Sequence, residues 1–432
     1  MAEAIYGLIG RRLGHSWSVL LHKALGCGDY RLIELEPEAV GPFLRGSHIG
    51  GLNVTIPYKK AVLPYLDRLD GPAAAIGSVN TITSDGQGRL WGHNTDAAGF
   101  AYLVRRAGVD LGGKKLVIFG DGGAQPAVAY AAKALGAGEI AVISRRGEDT
   151  YEHLDRHQDG QVLVNTTPVG MYPDMDGRIV DLRAFPRCEA VLDIVFNPLR
   201  TELMRQAAAL GIPCAGGLGM LAAQAVFAER LFAGMPGMLS AQAVEAESLF
   251  AGQALSDGEA ERLTRLAARE KENIVLIGMP GSGKSTVGRL LAAQTGRPLL
   301  DTDELITRRA GRSIPEIFTQ EGEGGFRARE RAAVAEAELA VGSILVTGGG
   351  AVLSPENEGP LRRNGRVYQL ERALDALPRE GRPLSQGVDL AAMYRQREPL
   401  YRRFRDAAAV NAGPPEETAD WIWRDFCEHS GD

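Results

Sequence analysis

The sequence of 432 residues lacks most features that would place it outside the class of ordinary globular proteins. Its four cysteines are widely separated and lack the spacing of a metal site. No apolar run has the length of a membrane span without glycine or polar breaks, and the first residues do not form a signal peptide. A formal net charge of −6 argues against general binding to nucleic acid. We therefore expect a cytoplasmic protein with reduced thiols, without a membrane or nucleic-acid partner.

What the sequence does have is two regions of alternating strand-like and helical segments, joined by a charged stretch. The length allows two to four compact domains. Ser256 and Glu259 form a capping-box pattern that predicts a helix over the charged stretch, which we interpret as a connector. The predicted domains are residues 1–255 and 273–432, with a helical linker over residues 256–272. Both domains are expected to be α/β with parallel sheets.

The C-terminal region begins with a glycine-rich loop of a specific type. Gly278 to Ser285 has the pattern G-x-x-x-x-G-K-S, directly after the apolar segment "NIVLIG" and before the helical segment "TVGRLLAAQTG". A phosphate-binding loop needs both flanks, because backbone N–H groups and the helix N-terminus face the phosphates. Lys284 would reach the β- and γ-phosphates, and Ser285 would coordinate Mg²⁺. The predicted ATP or GTP site consists of Gly278, Gly281, Ser282, Gly283, Lys284, Ser285 and Thr286.

Two carboxylates follow the next apolar segment of the chain. In "LLDTDEL", Asp301 and Asp303 are two residues apart and would share one side of an extended chain. One could join the coordination shell of the metal while the other orients an acceptor hydroxyl. Asp303 could equally cap the helix that follows. The residues alone leave both interpretations open.

Further motifs narrow this region to one family. "EGEGGFRARE", "VTGGGAVL", "GRPLS" and "RQREPLY", together with the loop and the carboxylates, make residues 273–412 resemble shikimate kinase. The resemblance implies that Asp303, Arg327 and Arg397 hold shikimate, with both arginines on its carboxylate. A planar guanidinium pairs well with a carboxylate. The substrate ring would approach the backbone of Gly349 and Gly350, and the implied fold is a P-loop kinase with a parallel sheet and flanking helices.

The same resemblance assigns chemical roles. Lys284 and Asp303 are implied as catalytic residues, and Ser285 and Asp301 as Mg²⁺ ligands. Arg382 would belong to a lid that closes over ATP. The lid segment is shorter than is usual in the family, and the C-terminal tail matches poorly where the family contacts adenine. These departures affect the lid and the contacts with adenine, and they do not affect the residues implied in phosphoryl transfer.

A second glycine-rich loop, of different design, lies earlier in the chain. It joins the strand-like "KKLVIFG" to the helical "PAVAYAAKALG", where a dinucleotide pyrophosphate would bind, and Gln125 occupies the place of a third glycine. The loop residues with this predicted role are Gly120, Gly122, Gly123 and Ala124. The next strand ends at Ser144, Arg145 and Arg146, where an NAD-binding protein has an acidic residue. Guanidinium groups suit a 2′-phosphate, so the expected cofactor is NADP(H).

Around this loop, "GLIGRRLGHSWSVLLHKAL", "GGLNVTIPYKKAV", "IGSVNTI", "GHNTDAAGF", "VNTTPVGMYP" and "GGLGMLAAQA" make residues 4–235 resemble shikimate dehydrogenase. The resemblance implies a substrate lobe over about 1–100 and 218–250 and an NADP-binding Rossmann lobe over about 101–217. The implied catalytic pair is Lys59 and Asp96. The implied substrate-binding residues are Ser16, Ser18, Thr55, Asn80 and Gln224. The implied nicotinamide-side residues are Asn165, Thr167, Met171 and Gly217.

These residue types fit the chemistry of a dehydrogenase. Hydride would pass from NADPH to a ring ketone, and the developing alkoxide needs a proton or a positive charge. Lys59 can supply either, while Asp96 keeps it oriented and charged. We favour Lys59 as the general acid, with purely electrostatic stabilisation as the alternative.

Some positions depart from the family pattern. Asp121 lies in the pyrophosphate turn, where the family has a small residue, and a carboxylate beside phosphate predicts weaker NADP binding. Val19, Lys23 and Phe196 also differ from the usual residues, without removing an essential group.

The two regions share one metabolite. The alcohol produced by the first would be the acceptor of the second, so the sequence predicts a bifunctional enzyme that converts 3-dehydroshikimate to shikimate and then phosphorylates it. One alternative is a non-catalytic metabolite sensor on the same folds; the presence of the catalytic groups and the lack of a DNA-binding segment disfavour it. The other is a first half specific for quinate with NAD, which Arg145 and Arg146 disfavour.

Overall fold

The structure is a computed structural model, and it describes residues 3–14, 16–85, 87–234, 253–377 and 389–430. Arg382, the lid segment around it and the predicted substrate-lobe residues 235–250 lie outside the described residues. The chain divides into two compact units. Unit 1 comprises Met1–Asn197 and Thr201–Ala267, and unit 2 comprises Pro198–Arg200 and Ala268–Asp432.

Unit 1 contains two sheets, of which the first is mixed. Strands β1 to β3 are parallel, whereas β5 pairs antiparallel with β3 and β6. The expectation of parallel sheets throughout is therefore wrong for this sheet. In the order β2-β1-β3-β5-β6-β4, the strands are β1 Ile5–Gly10, β2 Arg31–Glu34, β3 Ile49–Val54, β4 Arg68–Leu69, β5 Thr81–Ser84 and β6 Leu90–His93. The helices of this part are α1 Ser18–Ala24, α2 Pro37–Gly46, α3 Gly71–Ile76 and α4 Asp96–Arg106.

The second sheet of unit 1 is parallel in every described pairing. In the order β12-β11-β10-β7-β8-β9, its strands are β7 Lys115–Phe119, β8 Glu139–Ser144, β9 Asp149–Thr150, β10 Val162–Asn165, β11 Ala190–Asp193 and β12 Cys214–Ala215. The following helices are α5 Gln125–Ala134, α6 Glu202–Ala209 and α7 Leu218–Phe232. The chain reverses its direction of strand addition between β7 and β10, and ligands of such sheets bind outside the carboxyl ends of the strands at that point.

Helix α8, Gln253–Lys271, covers the predicted linker. It begins at Gln253 and not at Ser256, whose side chain lies outside the described part. Although charges dominate its sequence, five residues at helical spacing are almost fully buried; they are Ala260, Leu263, Thr264, Ala267 and Ala268. The division between the units falls after Ala267, inside the helix. The linker over residues 256–272 therefore stays a prediction, while the first part of the helix belongs structurally to unit 1.

Acidic side chains fasten this part of α8 to α4. Arg106 Nε lies 2.7 Å from Glu261 Oε2, and the hydroxyl of Tyr102 donates to the same oxygen at 3.0 Å. Burial alone would raise the pKa of Glu261, but hydrogen bonds from Arg106 and Arg265 outweigh burial and lower the pKa to about 2. Because α4 begins at Asp96, the contact of α8 with α4 stabilises the helix that carries a predicted catalytic residue.

Unit 2 contains a parallel sheet with helices around it. In the order β14-β15-β13-β16-β17, the strands are β13 Asn273–Ile277, β14 Leu299–Asp301, β15 Ile344–Val346, β16 Gly365–Glu371 and β17 Ala407–Val410. Its other helices are α9 Lys284–Thr295, α10 Thr302–Ala310, α11 Ile314–Ala337, α12 Glu358–Arg363, α13 Leu390–Phe404 and α14 Pro415–His429. The central strand β13 is buried along its whole length, as its uninterrupted apolar sequence predicts. The α/β fold class is confirmed for both units. None of the described helices combines the length and apolarity needed to cross a bilayer.

Replacing Glu261 tests the docking of α8. We expect Glu261→Ala to destabilise unit 1 by about 1 kcal/mol, a modest value because solvent screens a partly exposed ion pair. The Tm should fall by about 2–4 °C. Glu259→Ala is the matched control, since its carboxylate lies 3.8 Å from Arg230 and we expect little change. Equal effects of both changes on thermal unfolding, followed by circular dichroism, would contradict specific docking through Glu261.

Candidate active sites

In unit 1, a lysine and an aspartate meet directly. Lys59 Nζ lies 2.5 Å from Asp96 Oδ2, and Asp96 is 1% exposed at the first position of α4. Its other oxygen, Oδ1, accepts hydrogen bonds from Asn80 Nδ2 at 2.9 Å and from Gln224 Nε2 at 2.7 Å. Three predicted site residues, distant in sequence, thus converge on the carboxylate of a fourth. The helix N-terminus further favours its negative charge.

The orientation of the Asn80 amide is determined by its neighbours. Its oxygen accepts the backbone N–H of Thr95 at 2.8 Å and the hydroxyl of Thr81 at 3.1 Å. The NH₂ group is therefore turned towards Asp96. Thr81 in turn accepts a hydrogen bond from Asn53 Nδ2 at 3.2 Å, so the orientation is transmitted from β3. No role for Thr81, Thr95 or Asn53 follows from the sequence motifs.

The remaining substrate residues of unit 1 lie at the starts of α1 and of the loop after β3. Ser16 Oγ donates to Ser18 Oγ at 3.0 Å and also accepts the backbone N–H of Ser18 at 3.2 Å. Thr55 follows β3 directly, and its N–H donates to the carbonyl of Ile9 at 3.0 Å. All three side chains carry hydroxyl groups suited to a polyol ligand.

The first glycine loop begins at the end of β7. Gly120 has a φ of +100°, and a Cβ there would lie 2.7 Å from the side chain of Thr167, so glycine is required. The predicted loop continues through Gly122, Gly123 and Ala124 to the start of α5. A Cβ on Gly123 would be 3.7 Å from the Lys59 side chain, so this loop approaches the lysine of the other lobe.

Two arginines follow β8, beside the buried Ser144. Arg145 and Arg146 are both exposed, and the N–H of Arg146 donates to Ser144 Oγ at 3.3 Å. Burial raises the pKa of Tyr151, which the Arg145 charge lowers and the Asp121 charge raises. The charges of Asp121 and Arg145 therefore shift the pKa of the same tyrosine in opposite directions. This corner of unit 1 presents cationic groups suited to a phosphate monoester.

The loop after β10 is held by a fully buried carboxylate. Asn165 Nδ2 donates to Asp193 Oδ1 at 2.9 Å, and the Asn165 oxygen accepts from the N–H and the hydroxyl of Thr167 at 2.8 and 2.7 Å. Burial raises the pKa of Asp193 to about 7, against hydrogen bonds that lower it. A Cβ on Gly217 would lie 2.0 Å from the carbonyl oxygen of Ile194, so the start of α7 passes against the same strand end.

Met171 lies farther along the loop after β10 and is 42% exposed. An exposed thioether at a strand-end loop is an apolar surface that a planar ring can cover.

The phosphate-binding loop of unit 2 has the backbone its pattern predicts. Gly278, Gly281 and Gly283 have φ values of +143°, +90° and +98°. Lys284 Nζ donates to the carbonyls of Gly278 and Met279 at 2.8 and 3.0 Å, which places the ammonium at the loop. Ser282 is fully buried, and its hydroxyl oxygen lies 3.0 Å from where a Cβ on Gly278 would be. Thr286 is exposed in the first turn of α9.

The structure resolves the two interpretations of the paired aspartates. Asp301 ends β14, and its Oδ1 accepts the N–H of Asp303 at 2.9 Å, so Asp301 caps α10. Asp303 lies inside the first turn, and the idea of an extended pair is wrong. Ser285 Oγ donates to Asp301 Oδ2 at 3.2 Å. A hydroxyl beside a carboxylate is the oxygen donor set that Mg²⁺ prefers.

Asp303 faces a second buried carboxylate, that of Glu330. Burial, with the charges of Asp301 and Glu330, raises the pKa of Asp303 to about 6. A Cβ on Gly348 would lie 2.8 Å from Asp303 Oδ1 and 3.1 Å from Glu330 Oε1. Only glycine therefore leaves space for both carboxylates. These two oxygens are buried without a hydrogen-bond partner among the described residues. Buried polar atoms are normally hydrogen-bonded, so both oxygens are suited to accept hydrogen bonds from a polar ligand.

Two arginines line the same cleft. Arg327 Nη1 lies 2.7 Å from Glu330 Oε2, and Arg397 Nη1 donates to the carbonyl of Gly349 at 3.0 Å. The hydroxyl of Tyr401 donates to that carbonyl at 2.6 Å and is buried. The sequence analysis assigned no role to Glu330 or Tyr401. Their spacing on helices, three residues after Arg327 and four after Arg397, is a signal that could have identified them.

The cleft has a volume of about 770 Å³. It brings together the phosphate-binding loop, both aspartates, both arginines and the triglycine turn at 348–350, as the sequence predicted. It also includes Arg289 of α9 and the apolar side chains of Phe318 and Phe326, which the sequence analysis did not consider. Gly350 touches Arg327 so closely that a Cβ would lie 2.4 Å from Nη1. The cleft is large enough for a nucleotide and a small acceptor together.

Comparison with known proteins points the same way for both units. A family described as "Shikimate kinase" matches residues 280–426, and "Shikimate dehydrogenase substrate binding domain" matches residues 8–82. A shikimate dehydrogenase (NADP(+)) of Clostridium perfringens is 34% identical over 252 residues, which span 54% of this chain and 93% of the relative.

Solved structures are similar as well. Shikimate dehydrogenase 1 from Peptoclostridium difficile has a TM-score of 0.52 and 29% identity, and covers 61% of this chain and 99% of its own. A shikimate 5-dehydrogenase from Thermus thermophilus, in complex with NADP(H) and shikimate, has a TM-score of 0.50 and 31% identity, and covers 60% and 100%.

The space at Gly348 can be tested by adding one methyl group. We expect Gly348→Ala to push the carboxylates apart and to destabilise unit 2 by about 1–3 kcal/mol, the usual cost of overpacking. Gly324→Ala is the matched control, because nothing lies within 4 Å of a Cβ there and alanine favours a helix. Thermal unfolding measures both variants. A Gly348→Ala protein as stable as Gly324→Ala would contradict the steric argument.

Proposed function

The chain belongs to the shikimate dehydrogenase family and carries a shikimate kinase domain after it, and from this premise we propose two successive reactions of aromatic amino acid biosynthesis. The first is the NADPH-dependent reduction of 3-dehydroshikimate to shikimate. The second is the transfer of a phosphoryl group from ATP, with Mg²⁺, to give shikimate 3-phosphate. The observation that carries the proposal is the presence of a separate lysine-centred site in each compact unit. A cytoplasmic location with reduced cysteines is part of the proposal.

In unit 1, the buried pair of Lys59 and Asp96 would complete the reduction. NADPH supplies the hydride when it is bound. The ammonium of Lys59 then gives a proton to the alkoxide that forms from the ketone, and Asp96 holds that ammonium in place at 2.5 Å. Asn80 and Gln224 orient Asp96 and would also bind a hydroxyl group of the substrate. Ser16, Ser18 and Thr55 would bind the other polar groups of the substrate.

The residues available for the cofactor fit NADP(H). The loop after β7 offers backbone N–H groups at the start of α5 for the pyrophosphate. Arg145 and Arg146 are exposed cations with no acidic side chain at the end of β8, which suits the 2′-phosphate. Asn165, Thr167, Met171 and Gly217 would border the nicotinamide. This arrangement favours NADP over NAD and gives no support to the alternative of quinate with NAD.

In unit 2, the cleft would hold both the nucleotide and shikimate. The loop and Lys284 would bind the phosphates, and Ser285 and Asp301 would hold Mg²⁺, which supplies charge neutralisation when bound. Arg327 and Arg397 would pair with the carboxylate of shikimate, and Gly349 and Gly350 would allow its ring to approach. Asp303 would accept the hydrogen bond of the attacking hydroxyl. Arg382 is proposed for the lid, outside the described residues.

A coupled assay with 3-dehydroshikimate, NADPH and MgATP tests the proposal. We expect loss of NADPH absorbance together with ADP formation, and ADP formation from added shikimate without NADPH. Failure to form ADP, both in the coupled assay and from added shikimate, would refute the kinase half. Unchanged NADPH absorbance in the coupled assay, when added shikimate still gives ADP, would refute the reductase half. Binding of both ligands without turnover would favour the metabolite sensor.

Single substitutions should separate the two activities. Lys59→Ala removes the proton donor and should lower reduction by about 10²–10⁴-fold, with phosphorylation of added shikimate near normal. Asp303→Asn should abolish phosphorylation and spare reduction, because the sites lie in separate units. Each variant serves as the control for the other. Loss of both activities in a folded variant would contradict independent sites.

The raised pKa of Asp303 predicts an unusual acid limit for phosphorylation. Only the ionised carboxylate is a strong acceptor that can take the proton of the attacking hydroxyl, so kcat/KM for shikimate should fall as the pH decreases through about 6. If the pKa of Asp303 were that of an ordinary aspartate, kcat/KM would stay at its plateau until the pH fell to about 4. The measurement is the pH profile of kcat/KM between about pH 5 and 8. A profile flat down to pH 5 would contradict the assignment of Asp303.

Asp121 should weaken the binding of NADP. Its carboxylate is exposed in the turn after β7, beside the predicted pyrophosphate site. Removing one charge close to the phosphates should lower the Kd for NADP by about three- to tenfold in Asp121→Ala. Glu38→Ala, which removes the same charge on α2, should leave the Kd unchanged. An unchanged Kd in Asp121→Ala, measured by calorimetry, would exclude this effect.

A further inference from the structure

Two helices of unit 1 carry residues proposed for substrate binding. Ser18 begins α1, and Gln224 lies near the middle of α7. Gln224 also donates to Asp96, but Lys59 and Asn80 hold that carboxylate independently of α7, so the position of α7 affects mainly the substrate pocket. Along α7, the buried residues are mostly small or apolar, and the burial of such side chains is not directional. A directional contact is needed to fix the register.

Such a contact joins the two helices. His22 Nδ1 lies 2.5 Å from Glu229 Oε1. His22 is four residues after Ser18 and therefore on the same face of α1, and Glu229 is five residues after Gln224 on α7. His22 is 2% exposed, whereas the Glu229 side chain is 19% exposed. A buried imidazole with one carboxylate partner defines a single relative position of the two helices.

Aromatic residues hold the His22 ring in that position. It stacks on Tyr30 with a centroid distance of 3.8 Å and an interplanar angle of 4°, and Phe232 of α7 is 6.1 Å away. The hydroxyl of Tyr30 donates to Asn53 Oδ1 at 2.7 Å, and Asn53 belongs to the chain of hydrogen bonds that orients Asn80. Burial lowers the pKa of His22, so the ring is neutral near pH 7 and donates from Nδ1.

We propose that His22 and Glu229 are positioning residues of the reductase site, whose hydrogen bond fixes α1 against α7 and thereby sets the distance between Ser18 and Gln224. Neither residue contacts the catalytic pair directly in the described contacts, so both act through the helices that carry the substrate residues. The inference deepens the proposed function of unit 1 and rests on it. It predicts that loss of the hydrogen bond lowers the affinity for 3-dehydroshikimate more than it changes the affinity for NADPH or the turnover number.

The test compares two substitutions of Glu229. Glu229→Gln keeps an oxygen that accepts the Nδ1 proton, while Glu229→Met keeps the length of the side chain without an acceptor. We expect Glu229→Met to raise KM for 3-dehydroshikimate by about tenfold or more, with kcat changed by less than about threefold and KM for NADPH unchanged. Glu229→Gln should restore KM to within about threefold of the unsubstituted enzyme. Phosphorylation by the same chain should be unaffected.

Controls separate positioning from stability. Glu259→Met removes another carboxylate that pairs with α7, through Arg230, and should leave KM unchanged. His22→Gln retains a donor and should give a smaller rise in KM than Glu229→Met. If Glu229→Met lowers the Tm, calorimetric titration with shikimate well below that temperature gives the same comparison.

The proposal would be overturned if Glu229→Met left the KM for 3-dehydroshikimate unchanged. Equal increases in the KM for 3-dehydroshikimate and in the KM for NADPH would also overturn it. A Glu229→Gln variant as impaired as Glu229→Met would also overturn it, because charge and not the hydrogen bond would then matter. Absence of reduction in the unsubstituted enzyme would instead refute the proposed function itself.

Discussion

A carboxylate that is almost completely removed from water must be compensated, and Asp96 satisfies this requirement with groups from four parts of unit 1. The ammonium of Lys59 follows β3, the amide of Asn80 precedes β5, and the amide of Gln224 lies on α7. Asp96 itself lies at the helix N-terminus of α4. Because an unpaired buried charge is costly, none of these elements can move independently without loss of stability. The requirement for charge compensation thus assembles the site and holds it rigid.

Unit 2 meets the same requirement differently. Asp303 and Glu330 lie close together, with only Gly348 between them, and each retains a buried oxygen without a partner among the described residues. Arg327 compensates Glu330, while burial, together with the charges of Asp301 and Glu330, raises the pKa of Asp303. A polar ligand that supplies hydrogen-bond donors would relieve this imbalance. In unit 1 both oxygens of Asp96 accept hydrogen bonds from other described residues, whereas in unit 2 Asp303 and Glu330 each keep one oxygen available to a ligand.

Much of both sites follows from local sequence. Three features are contiguous in the sequence: the phosphate-binding loop, the dinucleotide loop and the arginines after β8. In the two loops, glycine allows a backbone conformation or a close approach that other residues do not. In the structure, each loop lies between a strand and a helix, as its pattern predicts. The expectation of a parallel first sheet was wrong because tertiary packing decided the direction of β5, which runs antiparallel to its neighbours. The residues left the role of Asp303 open, and the local hydrogen bond shows that Asp301 caps α10. Glu330, Tyr401 and Asp193 received no role, because their importance depends on partners more than a few residues away or on burial.

The sequence by itself determined the two nucleotide-binding loops, the α/β class and the set of polar residues available for chemistry, since these depend on short-range conformational rules. The tertiary structure decided which polar groups meet. The convergence of Lys59, Asn80 and Gln224 on Asp96, and the contact of His22 with Glu229 across a sequence separation of 207 residues, come from the packing of helices onto a mixed sheet. Hydrogen bonds act only over about 3 Å, so such contacts exist only after the chain has folded.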